Sequence, residues 1–361
     1  MTFLWWNLAI VFGFSIFARY FSKPVIANDI LMHSIVKPNK LLVVGVTISL
    51  VIISGLRVNI GDTFFYMHSY EISHFTWDSI VEDKDYGFSI LQKTLKNFSS
   101  DPQVLIFTTA LITNVLIVFV LAKYSRLFEL STFVYITGGL FLTSMNGIRQ
   151  VLAAAVVFTA TKYLINGNWI LYFLIVFIAS TFHQSALVLI PIYFLVRYRA
   201  WSNATYILLF FSICIVIGFD QFSTVLFTAI KDTQYGGYSN FNEGGANILR
   251  VAVDAVPLII AYMGREKLRE IFPSSDYIVN MALIGFVFMI ISTQNWIFAR
   301  FSIYFTLYQL ILISWIIKIF KEKQQRVVYI LLIVCYFLYY YYESVISLNI
   351  QYKSNILESL F

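Results

Sequence analysis

Long apolar runs recur from one end of this chain to the other, separated by short polar segments, and that alternation restricts the fold more than any other feature. A bilayer core takes about 20 apolar residues per helix. About twelve stretches approach that length: 3–21, 40–56, 103–122, 128–145, 148–166, 169–182, 184–196, 203–219, 247–264, 277–293, 297–317 and 327–342. Apolar residues make up 59% of the 361 and charged residues 12%, with a mean hydropathy of +0.77. Soluble domains stand near 45–50% and about 25%, so an ordinary globular protein is excluded. The expected fold is all-α: a polytopic integral membrane protein of about 12 transmembrane or re-entrant helices, forming a single membrane domain over residues 1–361.

Charge assigns the sides. The first stretch has no basic residue ahead of it and is followed by Arg19 and Lys23, the reverse of a signal peptide, so an uncleaved helix with its N-terminus outside is expected. Alternating from there puts Lys37, Lys40, Lys123, Arg126, Lys162, Arg197, Arg199, Arg265, Lys267, Arg269, Lys318, Lys321, Lys323 and Arg326 in the cytoplasm with Arg19 and Lys23. These are most of the 25 basic residues, and both termini then lie outside. Treating 169–196 as one span would move every later loop across the membrane and abolish the bias. Two short elements meeting at Phe182-His183-Gln184-Ser185 are therefore expected.

Two outside segments exceed simple connectors. Residues 57–102 carry Arg57, Asp62, Glu71, Asp78, Glu82, Asp83 and Asp85, with an interfacial helix expected around 87–98. Residues 220–246 contain Tyr235-Gly236-Gly237-Tyr238 and Glu243-Gly244-Gly245, a glycine-containing loop. Loops beyond about 15 residues are usually functional or disordered.

The net charge of +6 does not point to nucleic acid, because no basic run has the density of a nucleic-acid-binding arm. Cys214 and Cys335 lie within apolar runs and imply neither a disulfide nor a zinc site. His33, His68, His74 and His183 form no ligand pair at helical spacing, so no metal is expected, and no cofactor motif is present.

Charges near membrane depth are costly, about 2.5–3.5 kcal/mol each, and demand a partner or a purpose. Four such residues fall on the outer side: Arg57 after the second stretch, Arg149 opening the fifth, His183 between the short pair, and Arg300 just inside the eleventh. Three guanidiniums converging on one cavity would receive an anionic group, since arginine binds phosphate bidentately. A lipid-linked pyrophosphate is the natural candidate. Arginines near helix ends also snorkel to headgroups, and both readings stand for each residue alone. His183 suits proton transfer from a sugar hydroxyl, or simply a hydrogen bond at a helix end. Asp62 suits a base, or the N-cap of a helix that follows the Gly61 turn. Trp77, Trp296, Tyr235 and Tyr238 fit an interfacial belt better than sugar stacking, and the Tyr339 to Tyr342 run fits anchoring. Ala153, Ala154, Ala155 and Ala160 mark a face for close helix packing.

The strings holding these residues are Arg57 with Gly61-Asp62-Thr63 and Tyr66, Asn146-Gly147-Ile148-Arg149-Gln150, Phe182-His183-Gln184-Ser185-Ala186-Leu187, and Phe298-Ala299-Arg300-Phe301. Together they resemble the EpsG family, Wzy-like polymerases of bacterial exopolysaccharide. The resemblance covers nearly the whole chain, including Asp101-Pro102-Gln103, Phe128-Glu129-Leu130 and Gly167-Asn168-Trp169. It implies a multi-pass protein of the bacterial cytoplasmic membrane with GT-C-like architecture. Its implied activity is to join oligosaccharide repeat units carried on undecaprenyl pyrophosphate at the outer face, in making capsule or biofilm polysaccharide, without nucleotide sugar. Expected partners are the lipid-linked substrate, membrane lipid, a flippase and a chain-length co-polymerase. On this reading Arg57, Arg149 and Arg300 hold the pyrophosphate, Asn146, Gln150 and Tyr66 support them, and His183 or Asp62 is the base. A transporter of the same lipid-linked glycan would also need a cationic cavity, with charges spread through the membrane depth. A membrane acyltransferase acting on the glycan is the third reading.

Overall fold

The structure, a computed structural model, describes residues 1–24, 36–231 and 244–360. Helix α1 (Thr2–Tyr20) and α2 (Lys40–Gly55) form an antiparallel hairpin, with Ser49 donating to Asn7 Oδ1 at 2.8 Å. Between them β1 (Lys23–Pro24) pairs antiparallel with β2 (Val36–Lys37), Lys23 opposite Lys37. Asn39 starts α2 by accepting the Leu41 N–H at 3.0 Å.

Segment 57–102 folds as three short helices, α3 (Thr63–Ile72), α4 (Trp77–Glu82) and α5 (Tyr86–Lys96), the last at the place where a helix was expected. There follow α6 (Gln103–Tyr124), α7 (Phe128–Thr137), α8 (Leu140–Asn146), α9 (Ile148–Thr159), α10 (Thr161–Asn166) and α11 (Trp169–Phe182). A 3₁₀ turn, Gln184–Val188, leads into α12 (Leu189–Leu195). The second half comprises α13 (Asn203–Ile217), α14 (Phe219–Ile230), α15 (Ile248–Met263), α16 (Arg265–Ile271), α17 (Ser275–Ile291), α18 (Ile297–Ile316) and α19 (Glu322–Tyr340). Helix α19 runs on into a π-helical turn, Tyr341–Ser347, and α20 (Asn355–Leu360) follows. Tyr235, Gly236, Gly237, Tyr238, Glu243 and His33 lie outside the described residues.

Helix α18 is the axis of the bundle. Every residue from Leu307 to Ile316 is buried, the mark of a helix enclosed on all sides. Helices α17, α7, α9 and α15 pack around it, and α9 is backed in turn by α6 and α11. Ala153, Ala154, Ala155 and Ala160 are at most 1% exposed, so the expected close-packing face lies inside. Phe272 stacks on Trp315 at 4.5 Å near the far end of α18.

Each apolar stretch contains a helix, but not each is long enough to cross a bilayer alone. Among the described residues four are: Thr2–Tyr20, Gln103–Tyr124, Ile297–Ile319 and Glu322–Ser347. Helices α13 and α14 add a fifth if taken together, bent by 96°. Helices α2, α9, α11 and α17 and the segment Gln184–Leu195 are shorter apolar elements. Stretch 128–145 breaks at Gly138-Gly139, with Gly139 at φ 87°, and stretch 148–166 breaks at Ala160. Broken helices survive at membrane depth only where protein satisfies the freed backbone groups, and α7 and much of α8 are buried accordingly. Cys214 and Cys335 are free thiols on the apolar exterior.

Charged residues stand at both ends of α18. Arg300 stands near its start, whereas at its end the Arg126 N–H donates to Ser314 Oγ at 3.0 Å and Arg19 pairs with buried Glu129 nearby.

Candidate functional site

At the Arg300 end the bundle encloses a cavity of about 550 Å³. Asp62, Tyr66, Asn146, Arg149, Gln150, His183 and Arg300 all line it, although they come from segments far apart in sequence. Arg57 does not. Its guanidinium is 1% exposed and its donors are spent inside the protein: Nε on Thr63 Oγ1 at 3.0 Å, Nη2 on the Met145 carbonyl at 2.7 Å, and Nη1 on the Ser54 carbonyl. Arg57, expected to hold pyrophosphate, is instead turned into the protein and does not line the cavity. Three acceptors of its own chain take up the fork, and its work is to tie the end of α2 to the start of α3 and the end of α8.

That clamp sets the turn carrying Asp62. Gly61 has φ +54°, and a Cβ there would stand 2.3 Å from Asn146 Oδ1, so the position requires glycine on both counts. The same Asn146 oxygen accepts the Asp62 N–H at 2.9 Å. Asp62 occupies the N-cap position of α3, but its side chain caps no N–H, which leaves the carboxylate to the cavity.

The residue that organises the site was read from sequence only as one of several loop acids. Asp85, 3% exposed, stands just before α5. Its Oδ2 takes a hydrogen bond from Arg149 Nη1 at 3.0 Å, and Oδ1 accepts the Gln184 N–H at 3.0 Å. His183 Nδ1 lies 3.3 Å from the same Oδ2, an ion-pair separation at which the N–H points too obliquely for a straight hydrogen bond; that nitrogen is buried and has no hydrogen-bond partner. Burial by itself raises the Asp85 carboxyl, but His183, the Gln184 N–H and Arg149 outweigh it and hold the group below the usual carboxylate range. Gly87 makes the approach feasible: a Cβ there would meet Thr181 Oγ1 at 2.2 Å, so only glycine lets α5 come this close to the end of α11. That glycine two residues after Asp85 is the one local signal of a close approach, and nothing in spacing links it to His183.

Arg149, freed to the cavity by the break at Gly147, lies 5.9 Å from the rings of both Tyr66 and Phe88. Its side chain is 41% exposed, Asp85 takes one of its five donors and Tyr66 interacts with it as well, so part of the guanidinium still faces the cavity. Gln150 Nε2 donates to the Arg300 carbonyl at 2.8 Å, joining α9 to the first turn of α18. The Arg300 guanidinium lies 4.7 Å from the Trp296 ring, and Trp296 lines the cavity rather than an outer belt. Gly244 accepts the Trp296 N–H at 3.0 Å, bringing the end of the glycine-containing loop against the same wall.

The cavity also takes in Arg250, Asp254, Gln309, Tyr336, Tyr339 and Glu343, none of which was expected in the site. A carboxylate inside the apolar stretch 247–264 was the available signal. Among the described residues no group of three or more His, Cys, Asp or Glu is placed to hold a metal ion.

A family model, the EpsG family, matches residues 40–354, from α2 to the threshold of α20. The chain belongs to the EpsG family. No curated protein matches it, and no solved structure does. Every lining residue named above falls within the matched range, and EpsG membership is consistent with a polysaccharide polymerase in a multi-pass membrane setting.

Proposed function

We propose that this EpsG-family protein polymerises lipid-linked oligosaccharide repeat units at the outer face of the bacterial cytoplasmic membrane, taking a glycan from its undecaprenyl pyrophosphate and adding it to the next unit. The observation that carries this reading is the Asp85 cluster: one buried carboxylate contacts both Arg149 and His183 on a cavity that Arg300 also lines. Side by side, it holds a cation for a leaving group and an imidazole for a nucleophile.

In this mechanism Arg149 and Arg300 bind the pyrophosphate and take up the negative charge that grows as its bond to the anomeric carbon breaks. Asp85 engages His183 Nδ1, which leaves Nε2 to accept the proton of the acceptor hydroxyl as its oxygen bonds to that carbon. Asp62 and Asn146 border the same space and orient the acceptor, while Gln150 fixes α18 beneath Arg300. The fold in this reading is GT-C-like, with the Arg300 end outward and the Arg19, Arg126 and Lys318 end cytoplasmic, as the positive-inside rule favours. A flippase delivers the units and a co-polymerase sets chain length.

The test is purified protein in lipid, supplied with the host's repeat unit on undecaprenyl pyrophosphate and no nucleotide sugar, with products resolved by size. A ladder at repeat-unit spacing that vanishes with Arg149→Ala or Arg300→Ala supports the polymerase; a wild type that makes no ladder refutes it. Arg250, Asp254 and Glu343, lying farther along the bundle, favour the transporter as the second reading. Movement of the lipid-linked unit across a vesicle membrane without a ladder would decide for that one.

A further inference from the structure

The cavity does not end at the arginines. Its α18 wall runs from Arg300 through Ile303 and Thr306 to Gln309 and Ile313. At 1.5 Å per residue, Gln309 lies about 14 Å along the axis from Arg300. At that level Gln309 Nε2 reaches Asp254 on α15, its backbone carbonyl at 3.2 Å and Oδ1 at 3.4 Å. One turn earlier on α15, Arg250 donates through Nε to Glu343 Oε1 at 2.8 Å. Glu343 belongs to the π-helical turn Tyr341–Ser347, a local irregularity of the kind found at functional sites.

The charges of this deep arm define what enters it. Arg250 is engaged by Glu343, and the Asp254 carboxyl meets the Gln309 amide across the arm. A phosphate finds the arm's arginine already paired, and the polar groups stand between apolar side chains such as Ile303, Leu310 and Ile313, which can pack on the C–H faces of a sugar ring. A polyhydroxylated, uncharged group satisfies the arm, because the carboxyl of Asp254 and the amide of Gln309 together offer donors and acceptors at spacings that sugar hydroxyls match. Tyr339, on the same wall, adds a ring face and a hydroxyl.

We infer that the Asp254 and Gln309 arm is a saccharide subsite, binding sugar hydroxyls of the glycan while Arg149 and Arg300 hold the pyrophosphate at the other end. This rests on the proposed polymerase reading and deepens it, making Asp254 a residue that selects and positions the sugar.

The experiment separates the two ends by ligand. The probes are inorganic pyrophosphate and the lipid-free oligosaccharide released by mild acid from the host's polyprenyl-pyrophosphate glycolipids, titrated against the full chain in lipid nanodiscs. Asp254→Asn should weaken oligosaccharide binding at least tenfold and leave pyrophosphate affinity unchanged, which also certifies that the variant is folded. Arg149→Ala should do the reverse, and Gln309→Leu should follow Asp254→Asn to a smaller degree. Wild-type oligosaccharide affinity in Asp254→Asn, or no oligosaccharide binding by the wild type, overturns the subsite. If both ligands behave as expected but no ladder forms, the polymerase reading fails and the saccharide subsite stands. If the ladder forms and Asp254→Asn binds oligosaccharide normally, the subsite fails and the polymerase stands.

Discussion

Replacing Asp85 by asparagine tests the proposed mechanism most directly. The change keeps the volume and one oxygen for the Gln184 N–H but removes the charge that Arg149 and His183 share. The Arg149 side chain is 41% exposed, so solvent screening reduces its pairing to about 1 kcal/mol. The contact with His183 is partly buried but lacks hydrogen-bond geometry, so losing it costs about 0.5–1.5 kcal/mol. A stability loss of about 1.5–2.5 kcal/mol follows. The larger effect falls on the reaction. The amide can present N–H to His183 and hold the imidazole in the wrong tautomer, so chain extension should slow by about 10²–10⁴-fold. The assay is the initial rate of ladder formation at saturating lipid-linked unit, for Asp85→Asn, His183→Ala and both together. Residues acting as one unit are not additive, so the double variant should be about as slow as the slower single. Extension by Asp85→Asn within about threefold of wild type, or a double variant slower by the product of the singles, would refute the reasoning.

Arg57 should behave as a structural residue: Arg57→Met leaves the Ser54 and Met145 carbonyls without their donor, costing about 2–5 kcal/mol and lowering the melting temperature, while pyrophosphate affinity per folded molecule stays at the wild-type level. Gly87→Val must push α5 off Thr181, and the separation of Asp85 from His183 should appear as a slowed ladder with the oligosaccharide affinity retained. Because Asp85 titrates below the unfolded carboxylate value of about 4, its stabilisation is complete above that pH and lost as pH falls through the folded-state value. The melting-temperature gap between wild type and Asp85→Asn should therefore be constant from about pH 5 to 8 and close below about pH 4; a gap that widens on acidification would contradict the assignment. Gly61→Ala, strained by its positive φ and by Asn146, should reduce folded protein, and Gly61→Ala with Asn146→Ala should recover part of the loss.

Much of the site was legible one residue at a time. Arg149, His183 and Arg300 stood out because a charge in or beside an apolar run has few innocent explanations, and the cavity takes in all three. Arg57 satisfied the same rule for another reason: the rule reports that a buried charge has partners, and its partners proved to be carbonyls of its own chain. Asp85 was hidden because acids in an exposed-looking loop are common, and what distinguishes it is burial against α11, which depends on Gly87 and on a fold-back of segments nearly one hundred residues apart.

By itself, then, the sequence determined the class of solvent, the helical secondary structure and the family. Each of these follows from composition, hydrophobic run length or strings of adjacent residues, which are local properties of a chain. The tertiary structure decided which helices are broken, that Arg57 is buried against backbone carbonyls while Arg149 and Arg300 line the cavity, that Asp85 contacts Arg149 and His183, and that Asp254 lines the cavity. Those depend on which backbone comes within about 3 Å of which side chain across the bundle. Packing around α18 sets that separation, and no period along the chain encodes it.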